Sequence, residues 1–187
     1  LNLANPSLVR DVHREYVEAG AEVIETNTFG AHRFKLGPHG LEAQVRKINR
    51  EGARVAREAA KGRALVAGAI GPVGKPLAPI GNVRLEEAQE AYREQAEGLL
   101  EGGVDLFLLE TMPSLDQAKA ALAAVRSVTG DVPVAVSGRP RHRARRPLRE
   151  HRARLQFRGG DPTGARHGRS GAHRGRVRRR PRRREVH

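Results

Sequence analysis

Four times between Leu1 and Val136 a stretch with helical apolar spacing is followed by a short apolar run, and no other feature limits the fold as much. Asn5 is placed to cap a helix that begins at Pro6, Leu8, Val12 and Tyr16 recur at helical spacing, and Gly20 stands where that helix should stop. AEVIE from Ala21 to Glu25 then reads as a strand. Leu41 to Ala60 is predicted helical through Val45, Ile48, Val55 and Ala59, and ALVAGAI from Ala64 to Ile70 as a buried strand. Arg84 to Glu101 reads as a third helix, Val104 to Glu110 as a third strand, Ser114 to Val128 as a fourth helix and Val132 to Val136 as a fourth strand. The order is αβαβαβαβ.

Strands alternating with helices imply right-handed crossovers and a parallel sheet. An open doubly wound sheet usually carries a phosphate-binding glycine turn after its first strand. Here the loops after strands read TNTFGAHRF, GPVGKP and TMPS, and none fits that pattern. The expectation is therefore an incomplete (β/α)8 TIM barrel, about half of one, because a whole barrel takes roughly 250 residues. EAGAEVIETNTFG and EGGVDLFLLETMPS align through Gly20 and Gly103 without a gap, placing Asn27 opposite Glu110 and Thr28 opposite Thr111. Repeated units would produce this, and so would the general likeness of one β/α unit to another.

Charge divides the chain in two. Leu1 to Gly138 holds 16 basic and 18 acidic residues, a net of −2, whereas Arg139 to His187 holds 19 Arg, no Lys and 3 acids, a net of +16. The sequence from 138 to 187 has too few large apolar residues for a core and reads as a disordered Arg-rich tail. It is open to two explanations. One is a basic RNA-binding arm centred on Arg178 to Arg184; the other is translation out of frame, since GC-rich codons read out of phase yield mostly Arg, Gly, Pro, Ala and His. The domain division expected is 1–137 for the barrel part and 138–187 for the tail. No apolar run approaches the ~20 residues needed to cross a bilayer and no signal peptide is evident, so a cytoplasmic protein without membrane attachment is expected. With no cysteine, the chain holds no disulfide, thiol nucleophile or cysteine-ligated zinc site.

In a barrel, polar residues at the C-terminal ends of strands are the candidates for chemistry. These are Glu25, Thr26, Asn27 and Thr28 after the first strand, Gly71 and Pro72 after the second, Glu110 and Thr111 after the third, and Ser137 after the fourth. Glu110 stands out because a carboxylate following LFLL starts from a nearly dry environment, where it persists as an anion only against a cation or hydrogen-bond donors. The plainer alternative is an ion pair with a Lys or Arg of a neighbouring loop. The histidines suggest nothing comparable: His13 lies on a helix face, His32 and His39 in loops, and His142, His151, His167, His173 and His187 match no zinc spacing.

The segments NPSLVRDVHREYVEAGAEVIETNTFGAHRFKL, AGAIGPVGKPL and EQAEGLLEGGVDLFLLETMPSLDQAKAALAAVR, in that order, resemble the homocysteine S-methyltransferase family from Leu3 to about Ser137. The resemblance implies a methyltransferase: a zinc-dependent barrel in which homocysteine, held as a thiolate, attacks an electrophilic methyl group and becomes methionine. It also implies substrate-binding roles. Glu110 would receive the amino group, Thr26, Asn27 and Phe29 would line the pocket, and Gly71 and Pro72 would let backbone approach the ligand, while Thr28 and Thr111 would structure loops. The methyl donor stays open among methylcobalamin, a methylfolate, betaine and S-methylmethionine. The family's D-G-x-x-G-T strand would lie before Leu1, and its three zinc-binding cysteines have no counterpart here. The expectation is therefore a truncated, inactive homocysteine methyltransferase fragment without metal ligands or catalytic residues of its own. The second reading is a non-catalytic barrel fragment carrying an RNA-binding arm.

Overall fold

The computed structural model describes residues 1–138. The Arg-rich segment, its RRRPRRR patch at 178–184 and the five histidines from His142 onward lie outside the described residues. Four strands, β1 (Val23–Glu25), β2 (Leu65–Ile70), β3 (Leu106–Met112) and β4 (Val134–Gly138), form one parallel sheet in the order β1-β2-β3-β4. Helix α1 (Pro6–Glu18) precedes β1, and α2 (Arg33–Leu36), α3 (Val45–Ala60), α4 (Leu85–Glu101) and α5 (Leu115–Val128) lie in the connections between the strands.

The sequential strand order decides between the two architectures. A doubly wound sheet reverses direction at a switch point and so carries helices on both faces. Here there is no reversal, and right-handed crossovers put every long helix on the same side. Ile24, Val66, Ile70, Phe107, Leu109 and Met112 belong to one core with Tyr92, Leu99 and Val125 of the helices. By alternation, Glu25, Ala67, Ala69, Leu108 and Glu110 lie on the opposite face. This is the arrangement of consecutive units of a (β/α) barrel.

Helix starts follow local chemistry. The Asn5 side chain accepts a 3.3 Å hydrogen bond from the Leu8 N–H, with Pro6 at the first helical position, and Ser114 accepts from the Gln117 N–H at 3.2 Å. The helix expected from Leu41 starts at Val45, after short 3₁₀ turns at Gly37–His39 and Glu42–Gln44. Gly20 and Gly103, matched in the internal alignment, have φ of +96° and +86° and both occupy the turn from helix to strand.

The apolar stripe read on α1 proves to face outward. Leu8, Val12 and Tyr16 are exposed, and Val9, His13 and Val17 are buried instead. α1 packs on α3 and β1 through that second face, and the first is turned toward solvent. β1 and β4 are likewise the sheet's edges among the described residues. No described helix is long and apolar enough to cross a membrane.

Candidate functional site

The candidate residues collect at the C-terminal ends of β1, β2 and β3, and a network of backbone-directed hydrogen bonds holds their loops together. The Thr26 N–H continues the ladder to the Ala67 carbonyl at 2.9 Å. Its hydroxyl then accepts from the Ala69 N–H at 3.0 Å, while the Thr28 hydroxyl donates to the Ala69 carbonyl at 2.8 Å. The Thr28 proton being committed, the 2.6 Å contact between the two hydroxyls has Thr26 as donor. Both threonines are buried, and their hydroxyls extend the sheet by one rung beyond its backbone.

Distant polar side chains brace the same loop. Gln95 of α4 donates to the Thr28 carbonyl at 2.7 Å, and Asn49 of α3 donates to the carbonyls of Ala31 at 2.6 Å and Val45 at 2.8 Å. Asn2 donates to the Asn27 carbonyl at 2.9 Å and accepts from the exposed Asn27 amide at 3.0 Å. Gly52 makes room for this contact, since a Cβ there would stand 2.5 Å from Asn2 Nδ2 and 2.7 Å from Thr28 Cγ2. Gln95 and Asn49 are fully buried, and none of these three braces belonged to the candidates read from sequence. Their partners are carbonyls, which leave no signature in side-chain pattern.

The β1 and β2 loops are pinned to each other. The Gly71 N–H donates to the Phe29 carbonyl at 2.9 Å, and His32 Nε2 lies 3.1 Å from the Pro72 carbonyl. Burial lowers the His32 pKa to about 4, so the ring is neutral and its Nε2 carries the proton donated to Pro72. Phe29, 43% exposed, lays its ring over Gly71, where a Cβ would come within 2.5 Å of a ring carbon. The close approach that Gly71 permits is here made by that ring.

Beyond Pro72 the chain is held by a buried relay: the Val73 N–H donates to the Tyr92 hydroxyl at 3.2 Å, Tyr92 donates to Gln117 Oε1 at 3.2 Å, and Gln117 Nε2 donates to the Lys75 carbonyl at 2.9 Å. Tyr92→Phe would leave a buried N–H and a buried amide oxygen unpaired. Chemical denaturation is expected to show a loss of about 1–3 kcal/mol for that variant.

Buried atoms without a partner remain among these braces, at His32 Nδ1, Asn49 Oδ1 and Gln95 Oε1, but Glu110 differs from them in carrying a charge. Its carboxyl is half-buried at the end of β3, and its pKa is raised, first by burial and second by the charge of Glu25. No described cation offsets either influence, so the plainer expectation of an ion pair is not met among the described residues. The two glutamates lie on the helix-free face of the sheet and form an acidic mouth suited to a cationic group. Next to Glu110, Thr111 has φ +59°, a region that costs a β-branched residue roughly 1–2 kcal/mol. Beside it opens a cleft of 1140 Å³, walled by Pro76, Leu77, Ile80, Met112, Leu115 and Val136, which meets the site at Pro72 and Thr111.

The side chains present do not make the zinc centre that the resemblance implies. The chain has no cysteine, and among the described residues no three His, Asp or Glu side chains converge.

Comparison with known proteins adds an independent line. The family profile described as homocysteine S-methyltransferase matches residues 1–153. Methionine synthases of Mycobacterium tuberculosis and Mycobacterium leprae are each 36% identical over 132 residues, which is 67% of this chain and 11% of theirs. Crystal structures of the homocysteine methyltransferase MmuM from Escherichia coli superpose with a TM-score of 0.59 for the metallated form, at 29% identity over 68% of this chain. The oxidized form gives 0.64, at 27% identity over 73%. The chain spans about half of those solved chains, 49% and 52%, and about a ninth of the synthases.

Proposed function

The chain belongs to the homocysteine S-methyltransferase family, and from that premise we propose that its strand ends form the amino-acid half of a homocysteine site. The observation that carries the reading is Glu110: a half-buried carboxylate that burial and Glu25 leave short of positive charge, on the helix-free face of a barrel-type sheet. An α-ammonium group supplies the missing charge. Glu110 accepts its N–H bonds, and Glu25 adds attraction from across β2. Phe29 offers an exposed ring edge to the substrate's methylenes, with Asn27 beside it. Thr26 holds the β1 loop in register, and Gly71 and Pro72 set the depth of the floor.

Binding and turnover separate in this reading. Homocysteine has an amino group, a carboxylate and a thiol, and the described residues answer the first most directly. The 187-residue chain is expected to bind no stoichiometric zinc and to turn over no homocysteine, since its side chains supply no thiolate ligand set. Metal analysis of the purified chain and a methionine assay check both. Conversion of homocysteine to methionine would refute the expectation.

The reading is tested by calorimetric titration with L-homocysteine and with 4-sulfanylbutanoate, which lacks only the amine. Preference for homocysteine by about tenfold or more is the expected result, the scale of one charge-assisted hydrogen bond. Equal affinity for the two would overturn the assignment of Glu110. The domain division at 137 and a cytoplasmic location belong to the same proposal.

A further inference from the structure

Regular strand geometry sends neighbouring residues to opposite faces, yet the end of β3 departs from it. Leu109 and Met112 both belong to the helix-facing core, and between them Glu110 is half-buried and Thr111 exposed. The ladder shows how. Leu109 pairs with Val136 and Met112 with Gly138, so Glu110 and Thr111 together oppose the single residue Ser137. This two-for-one bulge returns Met112 to the core and takes Thr111, which strict alternation would have buried, out of it.

The backbone departs from the usual regions at the same residue. Thr111 has φ +59°, where glycine or asparagine would be the inexpensive choice, and its N–H reaches Ser137 Oγ at 3.4 Å. The Thr111 hydroxyl makes no hydrogen bond among the described residues and borders both the strand-end site and the adjoining cleft. A carboxylate and a free hydroxyl thus stand on consecutive residues outside the core. That juxtaposition complements the two charged groups of an α-amino acid, which are also carried side by side.

We propose that Thr111 is a substrate-binding residue whose hydroxyl donates to the α-carboxylate of the amino acid whose ammonium group Glu110 receives. The proposal rests on the homocysteine reading above and extends it from the amine to the carboxylate. Thr111 thereby selects α-amino acids over simple amines.

The test uses the full chain with Thr111→Val, Thr111→Ser and Glu110→Gln, titrated with L-homocysteine and with 3-aminopropane-1-thiol, which lacks only the carboxylate. Valine keeps the branch at Cβ and removes the hydroxyl, so the melting temperature should hold. Thr111→Val is expected to weaken L-homocysteine binding about tenfold and to leave 3-aminopropane-1-thiol unchanged. Thr111→Ser should bind both as the parent does, within about twofold, and Glu110→Gln should weaken both ligands. If Glu110→Gln weakens both while Thr111→Val binds L-homocysteine as the parent does, the role of Thr111 falls and the homocysteine reading stands. If Thr111→Val weakens both ligands equally, the residue acts on the shape of the site and the carboxylate contact is refuted. If the parent chain binds neither ligand, both readings fall together.

Discussion

Glu110→Gln is expected to weaken L-homocysteine binding between tenfold and a hundredfold while raising the melting temperature of the free protein. The loss follows from removing the charged acceptor of the ammonium group, worth about 1.5–3 kcal/mol for a charge-assisted bond. The gain follows from linkage. A carboxyl whose pKa is raised on folding is held more comfortably protonated than ionised, so its stabilising effect is present below the unfolded pKa and is lost as pH rises through the folded one. At neutral pH the ionised Glu110 burdens the fold, and the neutral amide lifts that burden. Thermal melts at pH 7 and pH 4 check the sign: the advantage of the variant should shrink on acidification. A variant that both binds and melts like the parent would show Glu110 to be an ordinary surface carboxylate.

Acid should act on the loop between β1 and α2 in the opposite sense. His32 is fully buried with its pKa lowered to about 4, against an ordinary value of 6.5. Between those limits the unfolded chain binds a proton that the folded chain refuses. Stability therefore stays whole above pH 6.5 and declines as pH falls toward 4. At roughly 1.4 kcal/mol per pH unit the decline amounts to about 3 kcal/mol. His13, also lowered by burial, adds to it in the same direction. His32→Gln keeps a donor for the Pro72 carbonyl and cannot take up the proton, so its urea midpoint should vary much less over this interval. A parent protein with a flat midpoint from pH 6.5 to 4 would show that the ring is not sequestered.

What could be read from sequence and what could not divide along a physical line. Apolar runs located the strands to within about two residues, because a strand covered by helices must be apolar wherever it faces them. The barrel-type order was legible for a related reason: each of the first three strands was followed by a helix long enough to return the chain, and no phosphate-binding turn intervened. The buried face of α1 was not legible. Leu8, Val12 and Tyr16 look like a core stripe as much as Val9, His13 and Val17 do, and only the position of α3 chooses between them. Glu110 could be singled out by its apolar approach and Thr111 taken with it as a strand-end residue, whereas the backbone conformation at Thr111 could not be foreseen. A left-handed backbone is normally announced by Gly or Asn, and at Thr111 a β-branched residue conceals it. Asn2, Asn49 and Gln95 escaped notice because each is bound to carbonyls at least 18 residues away or to its own helix. Such braces depend on tertiary structure alone.

The sequential order of the sheet also bears on how the protein comes to be folded. Among the described residues every strand pairs with the strand just before or after it in the chain, so none of these pairings waits for a segment made much later. Each new strand and its helix can dock onto a finished edge as synthesis proceeds, and an error in one unit stays local to its neighbours. β2 and β3, flanked on both sides, become the persistent centre of that growth. The strand ends bearing Glu110 and the β2 loop are therefore built onto its most durable part.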